Sequence, residues 1–125
     1  MNLILADTSV WANHLRNHDP LMVSLTDGER LLMHPYVIGE LSMGNLHDRA
    51  AFIVALRQME GVTLATDSEV SRLVEDNRLY GTGIGWIDAH LLASTLLTDD
   101  VQLWSHDRRL SAAAIRFGRG IQLNH

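Results

Sequence analysis

Cysteine is absent from the 125 residues, which excludes disulfides, thiolate metal ligands and a cysteine nucleophile. Any chemistry falls to oxygen and imidazole. Lysine is absent as well. All ten cations are arginines, so a phospho-accepting signalling domain, which relies on a lysine beside its aspartate, is nearly excluded, and no Gly-Lys-Ser/Thr phosphate loop is present. No run approaches the roughly 20 apolar residues that a membrane span needs. The start lacks the basic region, long apolar run and small-residue cleavage site of a secretory signal. The expectation is a soluble, cytoplasmic chain with no membrane partner. Repeats, low-complexity stretches and linkers are also missing, so residues 1–125 are expected to form a single domain. A hydrophobic content of 46 % is enough to build its core. The formal charge of −5 argues against a protein that coats nucleic acid indiscriminately. That argument weakens if four of the fifteen acids surround a divalent metal, because the remainder then nearly balances the ten arginines. Arginine's planar fork also suits phosphate better than a point charge does, although an all-arginine set can equally reflect a GC-rich coding sequence.

What is present alternates between strand and helix signals. Asn2 to Ala6 (NLILA) reads as a buried strand, and Asp7, Thr8 and Ser9 are capping residues before a helix with Trp11 and Leu15 at i, i+4. Asp19-Pro20 ends that helix. Arg30 to His34 (RLLMH) reads as a second strand, with Pro35 opening the helix that carries Gly39 and Glu40. Ala50 to Met59 shows one apolar helical face. Val62 to Ala65 is a strand candidate, and Thr66 with Glu69 makes a capping box for a helix bearing Val70, Leu73 and Val74. Trp86 to Leu97 is a strongly apolar helix. Val101 to Ser105 (VQLWS) reads as a strand, Arg108 to Phe117 as a helix and Ile121 to Leu123 as a last strand. Elements of these lengths in this order predict the α/β class, with a parallel sheet covered by helices on both faces.

In such sheets, functional groups gather beyond the carboxyl ends of the strands. Asp7 follows the first strand and Asp107 follows VQLWS. Glu40 lies in the helix after the second strand. Asp88 lies in the first turn of its helix, where Leu91, Leu92 and Thr95 place it on the inward stripe. Taken singly, each acid can be a helix cap or a first-turn charge favoured by the helix dipole. Four of them from four separated segments point to one site. Clustered carboxylates repel one another unless a cation neutralises them, and oxygen-only ligation suits Mg²⁺ or Mn²⁺ rather than zinc.

The segments LILADTSVW, VIGELSMGNL, GIGWIDAHLLAS and LWSHDRRL resemble, in order and at family-like spacing, the successive signatures of a PIN-domain ribonuclease of the VapC toxin type. The resemblance covers nearly the whole chain. It implies a PIN-like three-layer α/β/α domain with a central parallel sheet. It also implies Mg²⁺- or Mn²⁺-dependent cleavage of structured RNA, such as tRNA or ribosomal RNA, masked by a cognate VapB-type antitoxin. Carried over by position, Asp7, Glu40, Asp88 and Asp107 match the family's acidic quartet. Asp7, Asp88 and Asp107 are then the metal ligands, while Glu40 positions or deprotonates the attacking water. Ser9 and Ser105 match hydroxyls near the first and last acids. Arg108 and Arg109, with Arg116 and Arg119 beyond them, either contact RNA phosphates or form an ordinary solvated helix face. A two-fold homodimer is expected. So is an antitoxin tail that crosses the apolar surface near Trp11 and Leu15 and sends an arginine toward Asp7 and Asp88. Two alternatives stay open: a non-toxin PIN nuclease of RNA processing, and a catalytically inactive PIN binding module.

Other motifs carry less. Gly81 to Gly85 (GTGIG) is not a nucleotide fingerprint and reads as a flexible lead-in to the Asp88 helix. His14 and His18 have metal-pair spacing without the glutamate of H-E-x-x-H, which favours a surface pair over a zinc site. His90 and His106 neighbour proposed ligands and could touch substrate. Trp11, Trp86 and Trp104 each lie in an apolar run and are expected in the core. A haloacid-dehalogenase-type phosphatase needs Asp-x-Asp after the first strand, where this chain has Asp7-Thr8-Ser9.

Overall fold

A computed structural model describes residues 2–121. Strand β1 (Leu3–Ala6) buries Ile4, Leu5 and Ala6 in succession. Consecutive strand residues point to opposite faces, so both faces of the sheet must be covered. Strands β2 (Leu31–Leu32) and β3 (Val101–Trp104) run parallel to β1 on either side, in the order β2-β1-β3. Ile4 and Leu5 pair with Leu31 and Leu32, while Leu3 to Ala6 pair residue by residue with Val101 to Trp104. Seven helices surround this sheet among the described residues: α1 (Thr8–Asn17), α2 (Pro20–Asp27), α3 (Pro35–Ser42), α4 (Arg49–Gln58), α5 (Asp67–Asp76), α6 (Trp86–Leu97) and α7 (Arg108–Arg116). The fold is α/β, consistent with a PIN-like three-layer arrangement.

The topology decides where a site can form. From β1 the chain adds β2 on one side, then crosses back to add β3 on the other. The carboxyl ends of β1 and β3 are therefore the point where chain directions diverge and a crevice opens. Helix α6 lies deepest, with every residue from Ala89 to Thr95 buried. The Arg119 guanidinium closes its far end by donating to the carbonyls of Thr95, Thr98 and Val101 at 2.9, 3.0 and 3.1 Å. Helix α5 leans on α6 through Val70, Ala89 and Ala93. Its start is the expected capping box, with the Glu69 N–H donating to Thr66 Oγ1 at 3.1 Å and the Thr66 N–H to Glu69 Oε1 at 2.9 Å.

The structure extends one local expectation and overturns another. Asp19-Pro20 ends α1 and also begins α2: His18 takes a left-handed φ of 53°, and Asp19 accepts the Leu21 N–H at 2.9 Å with Pro20 in the first turn. Val62 to Ala65 is not a strand. Pairing stops at a single bridge between Gly61 and Met33, in which the Val62 N–H donates to the Met33 carbonyl at 3.0 Å; beyond it the Thr63 N–H goes to Thr98 Oγ1 and the Ala65 N–H to Ser94 Oγ. Of the proposed last strand, Gln122 and Leu123 lie outside the described residues, while Gly120 makes a single bridge to Leu103.

Candidate active site

Asp7 is only 4 % exposed, and a buried carboxylate must find donors. It finds three. Its Oδ1 accepts the Val10 N–H at 3.1 Å, capping α1, and the Ser9 hydroxyl at 2.6 Å. Its Oδ2 accepts the Ser105 hydroxyl at 2.5 Å. Each serine also accepts in turn: Ser105 Oγ from the Asp107 N–H at 2.9 Å, and Ser9 Oγ from the His106 N–H at 3.0 Å. Two hydroxyls thus tie the end of β1 to the loop that leaves β3.

Two of the remaining acids, Asp107 and Asp88, sit at helix starts around this knot, while Glu40 comes from the last turn of α3. Asp107 caps α7, its Oδ1 accepting the amides of Arg109 and Leu110 at 2.9 and 3.3 Å. Glu40, in α3, accepts the Thr8 hydroxyl at 2.8 Å, which joins α1 to α3. Asp88, half-buried in the first turn of α6, faces the Gly85 N–H at a long 3.5 Å. Burial chiefly raises the Asp88 pKa above the ordinary carboxylate value. The Gly85 N–H opposes that rise, and the negative fields of Asp7, Asp107 and Glu40 add to it. Capping and site formation are therefore not alternatives: Asp7 and Asp107 cap α1 and α7 and also lie close enough to Asp88 to act on its carboxyl.

Among the described residues none of the four acids is ion-paired with a basic side chain. Nor is any set of three His, Cys, Asp or Glu side chains already gathered as a metal-binding group. The donor set itself is all oxygen and anionic, which fits a hard divalent cation and not a soft one.

Beside Asp107 lies an open groove of about 770 Å³ whose lining includes Thr82, Arg108, Arg109 and Arg116. Its wall explains the glycine-rich loop. Gly83 has φ +95°, and a Cβ there would fall 2.6 Å from Arg109 Cδ and 2.8 Å from its Nε. Only glycine permits both the turn and the close passage of Arg109.

No protein-family model matches the chain. Its sequence is nevertheless 40 % identical over 116 residues, 93 % of this chain and 94 % of the relative, to Ribonuclease VapC32 of Mycobacterium tuberculosis, in the CDC 1551/Oshkosh and H37Rv strains alike. The chain belongs to the VapC-type PIN ribonucleases.

Membership makes the molecule an RNA-cleaving hydrolase and gives the VapC site its reference points. The hydroxyls expected at Ser9 and Ser105 both bond to Asp7. Arg108 and Arg109 face the groove beside Asp107, but Arg119 is spent on backbone carbonyls and is withdrawn from the set of phosphate contacts. Thr8, which holds Glu40, was not singled out, because nothing in the local sequence marks a partner 32 positions away. Trp11 and Trp104 are core residues, as expected. Trp86 is 48 % exposed, contrary to expectation. It occupies the first position of α6, three residues before the buried stretch begins. The His14 and His18 rings adjoin at 5.6 Å, and His14 Nδ1 accepts the Asp19 N–H, a structural role. No helix among the described residues is long and apolar enough to cross a membrane.

Proposed function

We propose that this chain is the endoribonuclease toxin of a toxin–antitoxin pair, cleaving structured RNA such as tRNA or ribosomal RNA with Mg²⁺ or Mn²⁺ held by Asp7, Asp88 and Asp107. The observation that carries the site is the convergence of the Asp7, Asp107 and Glu40 fields on Asp88, with no basic side chain paired to any of the four among the described residues. When bound, the cation supplies positive charge that polarises a phosphoryl oxygen and makes water easier to deprotonate. The protein's own groups do the rest. Ser9 and Ser105 hold the Asp7 carboxylate in one orientation. Glu40, steadied through Oε1 by Thr8, takes the proton of the attacking water. Arg108, Arg109 and Arg116 offer the groove beside Asp107 to flanking phosphates.

The partner of this reading is a small VapB-type antitoxin, with the toxin itself a two-fold homodimer. Support comes from the VapC-type relatives and from exposed apolar side chains on the early helices, including Leu15 at 47 %. The test is direct. Protein freed of partner should cleave RNA with Mg²⁺ or Mn²⁺ and stop on addition of EDTA, and its induction in bacteria should generate new RNA 5′ ends that the Asp7→Asn variant does not. The product of the adjacent gene should co-purify and inhibit. A chain that cuts RNA yet is harmless when expressed alone would instead be a plain PIN nuclease.

A further inference from the structure

We propose that Trp86 and Tyr36 form a stacking platform for an unpaired nucleobase of the RNA, a proposal that rests on the ribonuclease reading. The two rings are exposed by 48 and 38 %, although burying an aromatic side chain is among the most favourable steps open to a fold. Something holds them out. Each stands steeply inclined to the same imidazole: the Trp86 and Tyr36 centroids both lie 4.9 Å from that of His90, at interplanar angles of 83° and 70°. His90 is 3 % exposed, as is His34, whose ring lies 5.0 Å from Tyr36. Two buried imidazoles therefore brace the two exposed rings, whose centroids are separated by no more than twice the 4.9 Å spacing.

The platform sits on the helices that carry two of the acids. Tyr36 precedes Glu40 by one turn in α3, and Trp86 opens α6 two residues before Asp88. Four apart on a helix means the same face, so a base resting on Tyr36 lies on the face of α3 that carries Glu40. The charge nearby selects which part of the RNA can rest there. Exposed Asp67 places Oδ1 3.0 Å from His90 Nε2, off the line of a proper hydrogen bond, and an anion at that edge repels phosphate. The arginines line a separate groove, beside Asp107, whose lining includes neither ring. The backbone is thus steered to the arginines and a base to the rings. Aromatic faces stack on any base but only when it is unpaired, which favours loops and bulges over duplex.

Tryptophan fluorescence can test this, because Trp11 and Trp104 are buried and Trp86 is not. In an Asp7→Asn background that leaves RNA uncut, a single-stranded RNA 12-mer should quench the emission and bind more tightly than the same sequence as a duplex. Read by the anisotropy of an end-labelled 12-mer, because Trp86→Ala removes the exposed reporter, Trp86→Ala and Tyr36→Ala should each weaken single-strand binding about tenfold, the scale of one lost stacking contact. Trp86→Phe and Tyr36→Phe should keep most of it. The salt dependence should not change, since no phosphate contact is removed. An abasic 12-mer should bind weakly and be indifferent to Trp86→Ala. Unchanged 12-mer binding by Trp86→Ala and Tyr36→Ala, or equal losses on the abasic strand, overturns the platform. So does a Trp86→Ala protein that binds RNA normally but loses self-association in sedimentation, which would make the rings a protein interface. Failure of the ribonuclease reading looks different: wild-type protein that binds single strands through Trp86 but never cleaves them keeps the platform and loses the enzyme.

Discussion

Ser105 Oγ donates to Asp7 Oδ2 and accepts the Asp107 N–H, so one hydroxyl fixes two acids that lie 100 positions apart in the chain. Removing it leaves a buried carboxylate oxygen and an amide short of a partner. Ser105→Ala should therefore cost about 1–3 kcal/mol in urea unfolding. Cleavage should also fall by roughly 10- to 100-fold, the usual cost of losing the group that orients a metal ligand. Ser105→Thr, which keeps the hydroxyl, should recover most of both. A Ser105→Ala protein of wild-type stability would show that the hydroxyl bonds count for little.

Replacing a carboxylate proposed to hold the cation should do more damage than disturbing its neighbour. Asp7→Asn, Asp88→Asn and Asp107→Asn should each lower cleavage by more than that roughly 100-fold while the circular dichroism spectrum stays native. Any of the three that keeps wild-type rates is not part of the site.

Asp88 works against the fold. Burial and three like charges raise its pKa, so the folded protein holds that proton more tightly than the unfolded chain does, and stability is lost as pH rises from the ordinary carboxylate value of 3.8 through the folded pKa. Asp88→Asn should accordingly raise Tm at pH 7 even as it abolishes cleavage, with a gain that shrinks toward pH 4. In the wild-type protein Mn²⁺ should raise Tm by mass action, and Asp88→Asn should blunt that response. A lower Tm for Asp88→Asn at neutral pH would contradict the electrostatic account.

His34 sets an acid limit. It is 3 % exposed, and its Nδ1 accepts the Tyr36 N–H at 3.0 Å, capping α3. Burial, helped by His90, lowers its pKa from 6.5 to about 4. The unfolded chain then binds the proton first, so stability is full above 6.5 and is lost as pH falls toward 4, by on the order of 3 kcal/mol at most. His34→Asn keeps an acceptor for the cap without a titrating ring. It should flatten the dependence of urea midpoint on pH between 6.5 and 4; an unaltered slope would assign the acid sensitivity elsewhere.

Local physics was legible in the sequence. Burial of Leu3–Ala6, the caps at Asp7 and Thr66, and the apolar length of Trp86–Leu97 each depend on neighbours within a few residues, and each element appears as read. Asp7, Asp88 and Asp107 could be singled out as candidates for the same reason, because strand ends and helix starts are local features that parallel topology brings toward one edge. What only the tertiary structure decided are the bonds across long separations. Thr8 holds Glu40, Ser9 meets His106, and Arg119 caps α6 instead of facing RNA. The amides of Thr63 and Ala65 go to side chains and not to a strand. Trp86 had every local mark of a core residue, yet whether an apolar side chain is covered depends on what packs over it. At the first turn of α6 that neighbour is the single His90 ring, set nearly perpendicular to the indole at 83°, and the indole stays 48 % exposed.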